Sequence, residues 1–536
     1  MSASFNSSID SSPDKFPDSS FNQLPWSAFI APDGSNSTEI KELFSQVLTL
    51  LVDEMAMAQQ RSPSPDAIET AQLSEWATIP EKSIEIAELL KAVRSQLQQS
   101  MNAAHPGYIG HMDSIPTTMA IVGDLLVAAL NNNMLSVEMS PVFSRLEPLV
   151  LEQIATRFGL GSHSGGVLVS GGSLANLQAL TVARNVAFDA LEKGIVGLDK
   201  QPVFFVSEVA HTSMKKAAMV MGLGVNAAIA LRTNANSQVD IADLKRKLAQ
   251  ADSNGQQPFA IVATAGTTVT GNVDPIEEMG AIAQKHNLWF HVDAAYGGAV
   301  IFSDKHHELL KGIEQADSVT FNPQKWLYVT KTCATLLFKR FNVLKQHFRI
   351  LAPYMGDDEQ WPNLGEFTVQ GTRHPDILKL WLSLQHIGIA GYRDIIQHNY
   401  QLTKQFTAAV QARSYLQLAS QPQMNLVCFR WMPPGASELE CDALNAKLQN
   451  YLLRPHRNPS KTDPDKAVKQ PQSSEQSIFL SLPKYRNRRW LKAVLLNPFT
   501  RAETIEHLFH QIDIFVQEIS TSRHPNTDLK SRLNRQ

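Results

Sequence analysis

Cysteine is scarce: the 536 residues contain three, Cys333, Cys428 and Cys441. An odd number without motif spacing argues against a disulfide framework and a cysteine-rich metal site, and it fits a reducing compartment. A basic excess is also lacking, because 48 Lys and Arg face 51 Asp and Glu, for a net charge of -3. Little positive charge is left to neutralise a phosphate backbone, so no nucleic-acid partner is expected. No run of about 18 apolar residues occurs, so no membrane partner is expected either. The longest such stretch, Met119 to Leu130, is short and carries Asp124. Residues 1–25 have neither a basic n-region nor an apolar h-region, which reads as no export signal and makes the cytoplasm the expected location.

What is present is an ordinary globular composition, 43% hydrophobic and 18% charged. The length allows two to five domains of about 100–200 residues each. Residues 1–36 are rich in turn formers and poor in apolar residues, and read as a disordered tail. From Glu39, Ile40, Leu43, Phe44, Val47, Leu48 and Leu51 recur at helical spacing, and Ile84 to Leu97 repeats the pattern. Residues 37–110 are therefore expected to form a helical arm whose apolar stripes need a surface to cover.

Between 111 and 390 the pattern changes. Short apolar runs at Val167 to Ser170, Val203 to Val206, Phe259 to Ala263, Trp289 to Val292 and Ser318 to Phe321 alternate with helical stretches such as Leu174 to Asn185 and Ile276 to Lys285. The alternation implies βαβ units: an α/β domain with a mostly parallel central sheet and helices on both faces. Residues 391–536 read as a small α+β domain, with strands at Asn425 to Trp431, Ser477 to Leu480 and Lys492 to Leu496 and a helix at Ala502 to Glu518. Inside it, 454–476 is rich in Pro, Lys, Ser, Gln and Asp and reads as a disordered loop.

In a parallel sheet, ligands sit at the carboxyl ends of the strands. Three sets of residues stand there. Ser170-Gly171-Gly172-Ser173 opens a helix, and backbone N–H groups at a helix start bind phosphate. Asp293 ends a buried strand and is followed by small residues. Lys325 follows another strand and a proline turn, in Asn322-Pro323-Gln324-Lys325-Trp326. Taken singly each is bland: a Gly-Gly-Ser turn, a strand-end carboxylate, a surface lysine. Together they answer the three needs of pyridoxal phosphate: an amine for a Schiff base, a carboxylate to keep the pyridinium nitrogen protonated, and a phosphate cradle.

These motifs resemble the group II pyridoxal-phosphate-dependent amino-acid decarboxylases, which have the fold-type I architecture. The resemblance runs from about Met101 to Ala390 and more thinly beyond. Asn322-Pro323-Gln324-Lys325-Trp326 resembles the family's Asn-Pro-His-Lys-Trp and implies that Lys325 is the Schiff-base lysine. Val292-Asp293-Ala294-Ala295-Tyr296 implies Asp293 under the ring nitrogen, with Ala295 lining the cofactor. Ala210-His211-Thr212-Ser213 implies that His211 stacks on the ring, and the turn 263–268 implies Thr268 near its substituents. With Gly172, Ser173 and Gln324 at the phosphate, these complete the implied cofactor site. Gln324 stands where the family usually has histidine; its amide still donates a hydrogen bond, but it does not titrate.

The segment 351–358, Leu-Ala-Pro-Tyr-Met-Gly-Asp-Asp, resembles the family's catalytic loop. It implies that Tyr354 protonates Cα after carbon dioxide leaves and that His211 and Lys325 share the catalytic work. The related aldehyde synthases tend to have phenylalanine at the tyrosine, so Tyr354 favours simple decarboxylation. Another fold-type I reaction, such as transamination, is the alternative. His111 and Met112 align with the family's substrate pocket. Lys492 stands where glutamate decarboxylases carry an arginine; a point charge there weakens glutamate as substrate and leaves diaminobutyrate-like, aliphatic, aromatic and sulfinate substrates open. Arg373 reads as structural or as a residue holding a dimer around the cofactor. The resemblance and the uncovered arm imply a homodimer acting on a small amino acid, and no metal site is read.

Overall fold

The computed structural model describes residues 24–353, 355–356, 361–454 and 477–523. Most of the expected tail, Tyr354, and the expected loop from residue 455 to 476 lie outside them. The chain divides into two compact units, 1–107 with 456–477, and 108–455 with 478–536.

In the first unit the helices Ser37–Ala56, Thr70–Trp76 and Ile86–Gln98 account for the helical spacing. Residues 24–36, within the expected disordered tail, carry a turn of 3-10 helix, Trp26–Ala28. The Asn36 amide closes it by donating to the carbonyls of Trp26 and Phe29 at 3.0 and 2.9 Å. Glu54 joins the two long helices: it pairs with Arg61 at 3.6 Å and Arg94 at 3.4 Å and accepts from Gln98 at 3.0 Å.

The second unit is built on a seven-stranded sheet: β1 Gly165–Val169, β2 Gln201–Ser207, β3 Ala228–Leu231, β4 Gln256–Thr264, β5 Trp289–Asp293, β6 Ser318–Phe321 and β7 Ala334–Phe338. Their spatial order is β1-β7-β6-β5-β4-β2-β3. β7 is antiparallel to both neighbours, and the other six strands share one direction. Burial is nearly complete along β1, β5, β6 and β7, as a sheet covered on both faces requires. Helices Gly172–Phe188, Ser213–Val220 and Ile276–Lys285 supply crossovers.

Register places the chemistry. Thr264 pairs with Asp293, and Asp293 with Thr320, so β4, β5 and β6 end level with one another. Val169 pairs with Ala334 and Phe321 with Thr335, which brings the end of β1 to the same edge.

Helix Ile377–Gln411 leaves this domain and is broken at Gly388 (φ 65°, ψ 170°), a conformation that costs a residue with a Cβ far more. Beyond the break, Leu402, Phe406 and Val410 enter a second hydrophobic cluster with Val427, Phe429 and Phe509. Phe406 meets Phe429 and Phe509 edge-on, with ring centroids 5.4 and 4.9 Å apart. Such pairs contribute about 0.5–1.5 kcal/mol each beyond burial. Around this cluster lie the three-stranded antiparallel sheet of β8 Leu416–Leu418, β9 Leu426–Trp431 and β12 Leu491–Val494 and the helices Glu438–Leu453 and Ala502–Arg523, whereas the hairpin of β10 Lys484–Tyr485 and β11 Arg488–Arg489 sends Tyr485 into the large core. The expected strand at Ser477 to Leu480 is reduced to a single bridge, Phe479 with Tyr108.

Candidate active site

The strand ends open into a cavity of about 260 Å³. Of the residues read from the sequence, Gly172, Ser173, His211, Thr268, Asp293, Ala295, Gln324 and Lys325 all line it. On one side helix Gly172–Phe188 begins. Gly171 has φ 99°, and a Cβ on Gly172 would come within 2.9 Å of the Asn322 amide nitrogen, so only glycine lets the helix start here. The first amides of a helix have no carbonyl a turn earlier to bond, and these face the cavity as an anion site.

Asp293, at the end of β5, is 6% exposed. Its Oδ1 accepts from the Ala295 amide at 3.1 Å and its Oδ2 from the Asn176 side chain at 2.9 Å. Lys325 lies beyond β6, partly buried. Burial pushes its ammonium below the ordinary lysine value, against Asp293 and Asp113, which favours the neutral, nucleophilic amine. His211 lines the cavity and is exposed. Desolvation pushes its imidazole down, with Asp293 opposing and Lys325 and Lys216 adding. Its Nδ1 accepts from the Ser213 amide at 3.2 Å, so the neutral ring carries its proton on Nε2. Gln324 is oriented by its neighbour: Oε1 accepts from the Cys333 amide at 2.6 Å, which leaves Nε2 as its donor.

Other expected residues fall elsewhere. Met112 is buried in the large core and is not part of the cavity wall. His111 is off the wall too, with its ring centroid 5.1 Å from that of Phe479, beside Lys492. Burial, Lys492 and Lys331 lower its imidazole value, and Asp113 opposes. Lys492, on β12, is 6% exposed, and its Nζ donates to the Thr268 carbonyl at 3.3 Å. Among the described residues no carboxylate lies within ion-pair distance of it. Arg373 holds Glu147 at 2.5 and 2.7 Å and the Leu168 carbonyl at 2.9 Å, bracing β1. Tyr354 is outside the described residues.

Asn176, Asn322, Tyr296 and Thr264 also line the cavity and were not singled out from the sequence. One signal was available for Asn176: it lies four residues after Gly172 and shares its helix face.

A family model described as the pyridoxal-dependent decarboxylase conserved domain matches residues 69–432, more than half of the chain. The chain belongs to the pyridoxal-dependent decarboxylase family. Mouse acidic amino acid decarboxylase GADL1 is 29% identical to this decarboxylase over 433 residues, covering 80% of this chain and 76% of the relative. The crystal structure of mouse CSAD has a TM-score of 0.80 at 26% identity, covering 89% of this chain and 98% of that one. The glutamate decarboxylase domain of diaminobutyrate-pyruvate transaminase and L-2,4-diaminobutyrate decarboxylase from Vibrio parahaemolyticus has a TM-score of 0.77 at 26% identity, covering 91% and 98%.

This decarboxylase is thus an amino-acid decarboxylase with the fold-type I architecture, and its cofactor is pyridoxal 5′-phosphate. The residues present fit that group. The cavity offers an amine, a buried carboxylate and a helix N-terminus together. Two buried polar atoms on its wall, Asn322 Oδ1 and Thr264 Oγ1, have no partner among the described residues. Among those residues no helix is long and apolar enough to cross a membrane.

Proposed function

We propose that this decarboxylase acts on an L-amino acid with an anionic side chain, carboxylate or sulfinate, and releases the corresponding amine and carbon dioxide. Lys492 carries the reading: a buried ammonium beside the cavity rim, held by one carbonyl, is an incomplete ion pair, and a substrate anion completes it. The name of the mouse relative, an acidic amino acid decarboxylase, agrees.

When bound, pyridoxal phosphate would supply an electron sink for the Cα electron pair left as carbon dioxide departs. Lys325 holds the cofactor and yields its place to the substrate amine. Asp293 keeps a proton on the ring nitrogen, from a position fixed by two hydrogen bonds. The amides of Gly172 and Ser173 and the Gln324 Nε2 bind the phosphate, while Ala295 and Thr268 line the ring. His211 stacks on the ring. By the resemblance, Tyr354 delivers a proton to Cα and excludes water. His111 and Lys492 receive the distal end of the substrate.

The working form is a cytoplasmic homodimer. In its favour, Phe44, Leu48 and Val52 form a stripe at four-residue spacing with exposures of 41%, 49% and 62%, an apolar surface that a second copy covers. The three cysteines are unpaired and buried, in keeping with a reducing compartment. The test is a panel of acidic, basic, aromatic and aliphatic amino acids scored for amine and carbon dioxide, with sedimentation of the active species. A clear preference for a neutral or basic substrate overturns the substrate class; formation of keto acid in place of carbon dioxide overturns the reaction.

A further inference from the structure

Behind Asp293 a chain of hydrogen bonds runs inward, away from the cavity. The Trp289 indole N–H donates to Ser318 Oγ at 2.8 Å. Ser318 Oγ lies 2.8 Å from His291 Nδ1, and His291 Nε2 lies 3.1 Å from Asn176 Oδ1. The Asn176 amide nitrogen then donates to Asp293 Oδ2 at 2.9 Å and to Ser213 Oγ at 3.0 Å. Each member is buried: His291 and Ser318 are 0% exposed and Asn176 and Ser213 1%.

Both ends fix the direction of this chain. An indole N–H can only donate, and an ionised carboxylate can only accept. Ser318 therefore accepts from Trp289 and turns its own hydroxyl proton toward His291 Nδ1. The neutral imidazole carries its hydrogen on Nε2 and donates it to Asn176 Oδ1. That leaves the amide nitrogen of Asn176 facing Asp293. With the opposite tautomer the asparagine would turn over, and its oxygen would meet the carboxylate oxygen. Burial keeps the ring in the neutral state the chain needs, lowering His291 to about 4 with Asp293 opposing.

We propose that His291, which does not line the cavity, is a positioning residue: acting through Asn176, it sets the orientation of the Asp293 carboxylate toward the cofactor's ring nitrogen. The inference rests on the reading of Asp293 given above. His291 and Asp293 are two residues apart on β5 and share one face of the strand, whereas Asn176 comes from the helix packed on that face. One helix side chain thus joins two positions of one strand, and the carboxylate has one orientation in which both of its oxygens are met, by Asn176 and by the Ala295 amide.

The experiment compares His291→Leu, His291→Gln, Ser318→Ala and Asp293→Asn. It measures cofactor affinity of the apoprotein, the pH midpoint of the visible absorbance of the holoenzyme, and thermal stability. The leucine variant should bind pyridoxal phosphate about ten- to a hundredfold more weakly, the size of one lost hydrogen bond to a charged group. Its absorbance midpoint should move up, because a ring nitrogen held less firmly in its protonated state withdraws less charge from the Lys325 nitrogen. Glutamine carries an N–H donor where Nε2 stood and should recover most of both quantities. Ser318→Ala, a small change that folds readily, should shift them in the same direction by less.

Lowered melting temperatures with unchanged affinity and midpoint would mean that the chain only packs the core, and the inference fails. It also fails if glutamine is as damaging as leucine. Should His291→Leu not fold, Ser318→Ala decides by the same two measurements. Asp293→Asn separates the two readings: if it leaves affinity and midpoint as in the wild type, the role given to Asp293 is itself wrong.

Discussion

Replacing Lys492 with methionine removes a charge and keeps most of the buried stem. Among the described residues the ammonium has one hydrogen bond, to the Thr268 carbonyl at 3.3 Å, and Lys492 is 6% exposed. A substrate anion at about 4 Å would gain about 4 kcal/mol in a medium of effective dielectric 20, before either ion's desolvation. Net hydrogen bonds to charged groups fall to about 1.5–3 kcal/mol, or roughly 10- to 150-fold in kcat/KM. Lys492→Met should lose that factor for the acidic substrate and little for a neutral analogue of the same length. The wild-type preference should also depend on pH. Burial holds Lys492 below the ordinary lysine value, with Cys428 and Asp113 opposing and Lys325 adding. The preference is therefore present below that depressed value and is lost as pH rises through it, a limb missing from the methionine variant. The fold should not suffer. A lysine whose folded-state value is depressed destabilises the protein while it is charged, and that penalty is relieved as pH rises. Removing the charge should leave the melting temperature at or above that of the wild type. Steady-state kinetics with paired acidic and neutral substrates measures this, and an unchanged ratio of kcat/KM refutes the reasoning.

Lys325→Ala should abolish both the visible absorbance of bound cofactor and turnover; retained turnover removes Lys325 from its role. Arg373→Met leaves Glu147, 0% exposed, without its cation and should cost about 3–5 kcal/mol at neutral pH. Glu147 is already raised by burial, with Arg373 opposing, so the variant should regain stability as pH falls and Glu147 protonates. Urea melts at two pH values check the sign, and a pH-independent loss contradicts it. Tyr354→Phe should keep releasing carbon dioxide but yield less amine per carbon dioxide, with aldehyde, ammonia and peroxide making up the difference. An unchanged ratio makes Tyr354 a lid residue.

The cofactor groups were legible because each follows a strand closely, and the strands announce themselves as short apolar runs between helical patterns. Asp293 closes β5, and Lys325 comes four residues after β6. β3 and β7 were missed. Ala228–Leu231 is half alanine and lacks the branched and aromatic enrichment of a strand, apart from Ile229. Ala334–Phe338 is short enough to pass for a buried turn of helix, and nothing local reveals that it inserts antiparallel between β6 and β1. Its partner on one side, β1, lies more than a hundred residues earlier in the chain. The same limit hid the link from His291 to Asn176, 115 positions apart, although the two-residue spacing of His291 and Asp293 is visible in any reading of β5.

The two halves of the chemistry are carried by different parts of the chain. The groups around the cofactor sit on the ends of strands in one large sheet, where a shift of any one is resisted by its paired neighbours. His111 and Lys492 sit on the small sheet and the segment tied to it. Ile109 donates to the Phe479 carbonyl at 3.2 Å and accepts from the Val494 amide at 2.6 Å, and Lys492 and Ser481 are bridged. The segment that carries His111 is therefore hydrogen-bonded to the strand that carries Lys492. Substitutions at Lys492 should for this reason alter which amino acid is accepted while leaving cofactor affinity and absorbance as they are. Substitutions at Asp293, or behind it at His291, should change affinity and absorbance whatever the substrate. A Lys492→Met protein that lost its cofactor would show that the two regions are mechanically one.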